Sequence, residues 1–399
     1  VLRHGRLRDY LIAGIGIGLA AATKYTGGIT LLCLIAAAVC NAAGDEHRHV
    51  PRRLAGGLGI ALVAFLLANP YALLDFSSFI QGVKQQASET DAAKLGSSPV
   101  GGIDYYLWTF TWGIGWAPAV ASVVGAVLLV LRRRFTLALV LIPAPIIFLI
   151  FMGEQARYFG RWLMPIMPIV AILAGYAAVE LIRFISRARV VRPAFAAALV
   201  AVLLLAQSVT AVVHNDEVLS RPDTINATRA WMVNHIPAGA KIVVEPMVPA
   251  NWVYDTSRSL TATASGQRWI TFNTGLTNID TDYLPLPVGV HRLVAPDQYE
   301  STLRPHLLHQ YVANGYCWVV VGSLQAGRAS VTPRVPKAIG YYAALEKYGK
   351  LMFRISPYSR GASAVPFNFD WSVDFYPRQY RSPGPEVSVY RLRGEKCRA

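Results

Sequence analysis

Trp116-Ala-Pro-Ala-Val-Ala-Ser-Val-Val-Gly-Ala-Val-Leu-Leu-Val-Leu131, then Arg132-Arg133-Arg134, then Phe135-Thr-Leu-Ala-Leu-Val-Leu-Ile-Pro-Ala-Pro-Ile-Ile-Phe-Leu-Ile-Phe-Met152, is the stretch that decides the fold. Two apolar runs without a charge flank three arginines. A bilayer core takes about 20 apolar residues per spanning helix, and each run is close to that length. Working outward, the same pattern predicts seven spans, at roughly 9–23, 26–43, 54–74, 110–131, 135–152, 163–184 and 194–213. The first is the shortest. After about residue 214 the apolar excess ends and Pro, Tyr, Trp, Asn and Asp return to soluble proportions. The predicted fold class is therefore a polytopic α-helical membrane domain over 1–213, followed by a soluble extracytoplasmic α/β domain over 214–399.

Composition agrees. Charged residues make up 15% of the 399, hydrophobic residues 54%, and mean hydropathy is +0.37. Ordinary soluble domains carry about 25% charged residues, so disordered, collagen-like and disulfide-scaffold proteins are excluded. A wholly soluble enzyme is disfavoured. The net charge of +15 follows the membrane pattern. Arg3, Arg6, Arg8, Arg48, Arg52, Arg53, Arg132–Arg134, Arg183, Arg187, Arg189 and Arg192 fall at one set of span ends. Lys24, Lys84, Lys94, Arg157 and Arg161 fall at the other. Lys and Arg concentrate on the cytoplasmic side, which predicts a multi-pass protein of the cytoplasmic (inner) membrane with its C-terminal domain outside. The basic residues do not gather on one soluble face as nucleic-acid binding requires. Val1 is not an initiator Met, and its basic surroundings run straight into repeated apolar segments rather than a cleavable signal. The chain is read as starting inside a longer membrane protein.

Gly14, Gly16 and Gly18 imitate a dinucleotide loop. They lie inside an apolar run with no preceding strand, so they are read as helix-packing positions, as are Gly56, Gly57 and Gly59. Tyr105, Tyr106, Trp108, Trp112 and Trp116 suit an interfacial aromatic belt, with sugar stacking as the other reading. Charges at membrane depth are costly and mark function. Lys24 in Thr23-Lys24-Tyr25-Thr26-Gly27, and Arg157 and Arg161 before Leu163-Met-Pro165, go against the positive-inside trend. If helical, the spacing of four puts Arg157 and Arg161 on one face, where guanidinium forks suit phosphate oxygens. The other reading is snorkelling, or pairing with Glu154 and Asp75. Pro70 should kink or break the third span. Asp75 and Asp104 are weak candidates for a catalytic base, since neither has a second carboxylate beside it.

Thr23-Lys24-Tyr25-Thr26 between two spans, Asn69-Pro70-Tyr71 closing the next, and Arg161-Trp-Leu-Met-Pro165-Ile-Met-Pro168 together resemble the C-terminal two thirds of GT-C membrane glycosyltransferases. The protein O-mannosyltransferase-like and aminoarabinose-transferase-like groups are the nearest. Thr228-Arg-Ala-Trp231 through Pro237-Ala-Gly239, and Ser382-Pro383-Gly384-Pro385 before Val387-Ser-Val-Tyr390, fit the tail of that family. The resemblance implies transfer of a sugar from a polyprenyl-phosphate carrier, at the outer face, to a glycan, lipid or protein acceptor. A carboxylate takes the acceptor proton and basic groups stabilise the departing phosphate. It places the acidic residue in a first external loop upstream of Val1, so the fragment alone should be inactive. By position, Lys24, Tyr25, Arg157, Tyr158 and Arg161 would form the lipid-phosphate side. No cofactor is fixed, and a divalent cation stays open. Two other readings remain: a transporter or flippase of lipid-linked sugars, and a membrane-anchored module that binds the cell envelope.

The second half reads as alternating helices and strands. Asp223-Thr224 suits a helix N-cap, with the helix running to about Ile236. Lys241–Glu245 is a predicted strand, 297–313 a helix, Tyr316–Val321 a strand, 336–348 a helix, and Leu351–Ile355 and Val387–Leu392 strands. Alternation of this kind favours an α/β layer fold. His291, His306 and His309 lack metal-ligand spacing. Asn226-Ala-Thr228 matches a glycosylation sequon and is read as incidental. Cys317 and Cys397 lie where a disulfide is permitted, but Cys317 falls in a predicted core strand, which weighs against the bridge. The Pro/Ser/Gly/aromatic stretch 356–385 is a long loop that could cap the membrane cavity.

Overall fold

The computed structural model describes residues 1–2, 4–43, 47–91, 101–155, 159–187, 192–248, 250–253, 267–272, 299–331, 335–362, 365 and 375–397. Among these residues the chain forms two compact units, divided between Val212 and Val213.

The first unit is helical: α1 (Leu7–Thr23), α2 (Leu31–Ala42), α3 (Val50–Ala68), α4 (Tyr71–Leu74), α5 (Phe76–Asp91), α6 (Gly102–Phe110), α7 (Trp116–Leu131), α8 (Phe135–Leu141), α9 (Pro143–Gly153), α10 (Met167–Arg187) and the start of α11 (Pro193–Leu219). Among the described residues, six helical segments are long and apolar enough to cross a membrane: Tyr25–Ala42, Val50–Ala68, Gly102–Leu131, Phe135–Gly153, Gly160–Arg187 and one beginning at Pro193. This is a multi-pass membrane protein. The first expected span, α1, is a helix but is not among the six. Its 17 residues rise only about 26 Å at 1.5 Å each, against a core of about 30 Å. The expected span 54–74 ends at Ala68, where Asn69 leaves helical geometry (φ −127°, ψ 69°) and Pro70 starts α4.

Helix packing explains some of the glycines. A Cβ at Gly14 would overlap the Gly57 carbonyl, and one at Gly18 the Ala61 carbonyl, so α1 and α3 touch backbone to backbone. Gly16 and Gly59 meet no atom within 4 Å, because a period of 3.6 places alternate residues on different faces. The packing role expected of those two is therefore withdrawn. Gly125 of α7 sits against the Leu173 carbonyl of α10 in the same manner.

Between α6 and α7 the chain makes a π-turn, Thr111–Gly115. Such a turn takes backbone groups out of the helical ladder, and α11 satisfies them. Gln207 Nε2 donates to the Thr111 carbonyl (2.9 Å), the Trp116 N–H donates to Gln207 Oε1 (2.8 Å), and Ser208 Oγ donates to the Ile114 carbonyl (2.6 Å). Gly115 (φ +96°) lies against both side chains. A second polar device is the buried Glu180 of α10, paired with Arg132 and with Arg183 (2.8 Å). Tyr105 and Tyr106 are buried and pack with Phe148, Leu163 and Ile166, so they belong to the core rather than to an interfacial belt.

The second unit is an α/β layer structure. α12 (Thr224–His235) starts where Asp223 accepts from the Ile225 N–H (2.6 Å), as its N-cap residue should. Then come β1 (Lys241–Val244), β2 (Ile270–Thr271), α13 (Leu307–Ala313), β3 (Trp318–Gly322), α14 (Ser323–Val331), α15 (Pro336–Tyr348), β4 (Gly349–Ile355) and β5 (Val387–Leu392). The sheet order is β2-β1-β3-β5-β4, parallel for β2, β1 and β3 and antiparallel at β3–β5 and β5–β4. Both faces are covered. Val319, Val321, Tyr390 and Leu392 pack with Tyr311, Ala338 and Tyr341, while Trp318, Val320, Val387 and Val389 pack with Met232, Ile236 and Trp269.

Two expectations change here. The helix over 297–313 is a 3₁₀ turn at Tyr299–Thr302 and a separate α13, with Pro305 between them unable to continue a helix. Cys317 and Cys397 are joined by a disulfide with Cα atoms 5.3 Å apart. Cys317 precedes β3 instead of lying within it, which frees its side chain to reach the terminal turn Glu395–Cys397. Within 356–385, residues 363–364 and 366–374 lie outside the described residues. The rest is pinned at a Tyr358–Tyr380 bridge and by the Arg381 N–H on the Pro357 carbonyl (2.7 Å). Gly384 (φ +97°) permits Pro383 and Pro385 to receive the Thr224 N–H (3.1 Å) and hydroxyl (2.7 Å) at the head of α12.

Candidate functional site

The apolar run of the first unit breaks at three places that carry the quoted motifs: the turn at Lys24, to which the Asn69 break is tied, and a third turn that Lys24 meets. α1 ends at Lys24, which is extended (φ −156°, ψ 128°), and a 3₁₀ turn over Tyr25–Thr30 reverses the chain. Gly27 makes the turn feasible: its N–H donates to the Lys24 carbonyl (2.7 Å), and a Cβ there would overlap the Ala20 carbonyl. The end of α3 is tied to this turn, since Asn69 Nδ2 donates to the Ala22 carbonyl (3.3 Å). The Tyr25 ring stands edge-on to Phe79 of α5 (5.9 Å between centroids).

The third interruption is the 3₁₀ turn Gly160–Ile166 that leads into α10. Leu163 and Ile166 anchor it in the core, and Gly160 lets Trp112 approach to 2.7 Å from where a Cβ would lie. Trp162 packs on Phe159 (5.0 Å), and Lys24 Nζ sits 5.2 Å from the centroid of the Trp162 ring. The Arg161 guanidinium lies 4.4 Å from the Phe159 centroid. A cation held against an aromatic face keeps its charge while losing part of its water, which suits it to an anionic group at the same depth.

Of the residues expected from the sequence, Lys24, Tyr25 and Arg161 belong to this cluster, Lys24 half-buried and the other two exposed. Arg157 and Tyr158 lie outside the described residues. Phe159, just before Arg161, is extended (φ −141°, ψ 138°). Asp75 accepts from the Ser77 hydroxyl (3.1 Å) and the Ser78 N–H (3.2 Å), capping the start of α5. Hydrogen bonds from Ser78, and then Ser77, hold its carboxyl below the usual range. Asp104 is exposed in the first turn of α6, where an acid complements the helix dipole. Both carboxylates sit at helix starts, Asp75 at α5 and Asp104 at α6. His306 occupies the N-cap position of α13 without a side-chain capping bond and His309 lies within the helix, while His291 is outside the described residues. Among the described residues no group of three or more His, Cys, Asp or Glu is placed to hold a metal ion.

Three features were not anticipated from the sequence: the Lys24–Trp162 contact, the Glu180 ion triad, and a buried acid in the second unit. Glu180 had a visible signal, a carboxylate within an apolar 28-residue segment. Glu245 had a fainter one, as the acidic last residue of the predicted strand Lys241–Glu245. Its carboxylate is buried, accepting from the Tyr342 hydroxyl (2.6 Å) and the Gly322 N–H (2.7 Å). Burial pushes its pKa up to about 8. No protein-family model, characterised protein or solved structure matches this chain.

Proposed function

We propose that this chain forms the lipid-phosphate side of a GT-C-type membrane glycosyltransferase. The enzyme moves a sugar from a polyprenyl-phosphate carrier to an acceptor at the outer face of the cytoplasmic membrane. The observation that carries the reading is the placement of Lys24 against Trp162, next to Arg161, where two segments long enough to cross a membrane, Tyr25–Ala42 and Gly160–Arg187, begin. In catalysis these cations would stabilise the negative charge that develops on the departing phosphate. Aromatic rings beside them would shield that charge pair from water, which strengthens it. The cluster supplies leaving-group stabilisation. Two observations support an outward-facing site and second unit: the asymmetry of Lys and Arg between span ends, and the Cys317–Cys397 disulfide, which belongs to oxidising compartments.

The test uses the protein in liposomes, with undecaprenyl phosphate as the binding probe and polyprenyl-phosphate mannose and arabinose as donors. Lys24→Gln and Arg161→Gln should each weaken undecaprenyl-phosphate binding about 10-fold, as loss of a hydrogen bond to a charged group does, with expression unchanged. Unaltered binding in both variants would sink the assignment. Movement of the carrier across the liposome bilayer would replace the transferase with a flippase.

A further inference from the structure

The second unit contains a cleft of its own, of about 370 Å³, between the sheet and the pair α14–α15. Its floor is Ser388 and Tyr390 of β5 and Arg354 of β4, and its other wall includes Tyr342 and Glu346 of α15, with Glu386 at the mouth. The cleft opens where β1, β3 and β4 end at their carboxyl termini and β5 begins, the side of an α/β sheet at which ligands bind. That size lies at the lower end of the roughly 300–1,000 Å³ typical of small-ligand pockets.

We infer that this cleft binds an uncharged, hydroxyl-rich ligand of the carbohydrate class. The chemistry of its walls carries the inference. Arg354 is held from one side, its Nε donating to Ser388 Oγ (3.0 Å) and its Nη2 to the Tyr390 hydroxyl (3.4 Å), with Glu386 3.7 Å away. The Arg354 side chain is still 47% exposed, and its guanidinium carries donors beyond these two bonds in a fixed plane. Glu346 and Glu386 each offer carboxylate acceptor oxygens. Vicinal hydroxyls, which donate and accept at adjacent positions, match an alternation of guanidinium and carboxylates. Tyr342 adds aromatic surface for the apolar face of a sugar ring. Tyr342 is itself held by its bond to the buried Glu245, so that wall is pre-organised and costs little ordering on binding. Two carboxylates against one guanidinium repel a phosphate or sulfate. The guanidinium, already engaged by Glu386, disfavours a simple amine. The inference concerns the second unit alone and does not rest on the transferase reading.

Saturation-transfer NMR on the full chain in detergent micelles tests it, with methyl α-mannoside, methyl α-arabinofuranoside, maltose, glucosamine and glucose 6-phosphate as probes. At least one neutral glycoside should give signals with millimolar affinity, and glucose 6-phosphate none. Arg354→Met should weaken the response at least 10-fold, the loss expected for a hydrogen bond to a charged group. Ser330→Trp, which fills the cleft from an exposed position of α14, should abolish it while leaving the thermal unfolding profile intact. Silence from every neutral glycoside, binding of glucosamine or glucose 6-phosphate alone, or signals unchanged in Ser330→Trp would each overturn the assignment.

Discussion

Replacing Glu245 with Gln should change how the stability of the second unit depends on pH, and the structure sets the size of the change. Burial dominates the environment of Glu245, and the nearby charge of Glu300 acts in the same direction, opposed by the bonds from Tyr342 and Gly322. Together they raise the pKa from 4.5 to about 8. In the unfolded chain the carboxyl ionises near 4.5, while the folded chain holds its proton until about pH 8. The stabilisation due to the protonated acid is thus complete below about pH 4.5 and is lost as pH rises through 8. Each unit of that window is worth about 1.4 kcal/mol, so the full span corresponds to about 5 kcal/mol. Glu245→Gln has the same shape and cannot ionise. Its amide can donate to the Tyr342 oxygen and its carbonyl can accept from the Gly322 N–H. At pH 5 the variant should lie within about 1 kcal/mol of the parent, and at pH 8 it should be more stable by roughly 3–5 kcal/mol. For a unit of this size that corresponds to a rise in melting temperature on the order of 10 °C. The assay is thermal unfolding of the full chain in detergent, followed by tryptophan fluorescence at pH 5, 6.5 and 8, since Trp269 and Trp318 are buried in this unit. Parallel pH profiles for parent and variant would refute the buried-acid argument.

Other consequences are equally direct. Gly14→Val should push α1 off α3 and cost about 3 kcal/mol or more of overpacking, while Gly16→Val, which meets open space, should leave the melting temperature in detergent nearly unchanged; equal effects would contradict the seam. Gln207→Leu removes both hydrogen bonds that α11 makes to Thr111 and Trp116 and should destabilise the first unit by about 1–2 kcal/mol, measurable as earlier unfolding in a denaturing-detergent titration. Cys317→Ser with Cys397→Ser opens a cross-link spanning a separation of 80 residues, for which the chain-entropy argument gives about 4 kcal/mol. The double variant should melt well below the oxidised parent and should no longer respond to added reductant.

Membrane character, the order of the apolar segments and the α/β alternation of the second half were legible in the sequence, because each follows from one-dimensional quantities. Run length measures a helix against the bilayer, and periodicity separates helix from strand. The break at Asn69-Pro70 and the cap at Asp223 were legible for the same reason, as proline removes a donor and aspartate supplies an acceptor locally. What escaped depended on partners far along the chain. Glycine spacing alone could not say that Gly14 and Gly18 face α3 while Gly16 does not. The disulfide hinged on whether Cys317 falls inside β3 or just before it, a shift of a single residue. Tyr105 and Tyr106 looked like interfacial aromatics until Phe148 and Ile166 closed over them.

The candidate sites show the same division. The sequence by itself determined that cations occur at span ends against the usual charge bias, which singles out Lys24 and Arg161, because charge placement relative to apolar runs is a local property. Only the tertiary structure decided that Lys24 rests on Trp162, well over a hundred residues away, and that Arg354, Glu346 and Tyr342 line one cleft above a buried Glu245. Those contacts join residues from separate elements, and the energy that holds them comes from packing and desolvation, which exist only once the chain has folded.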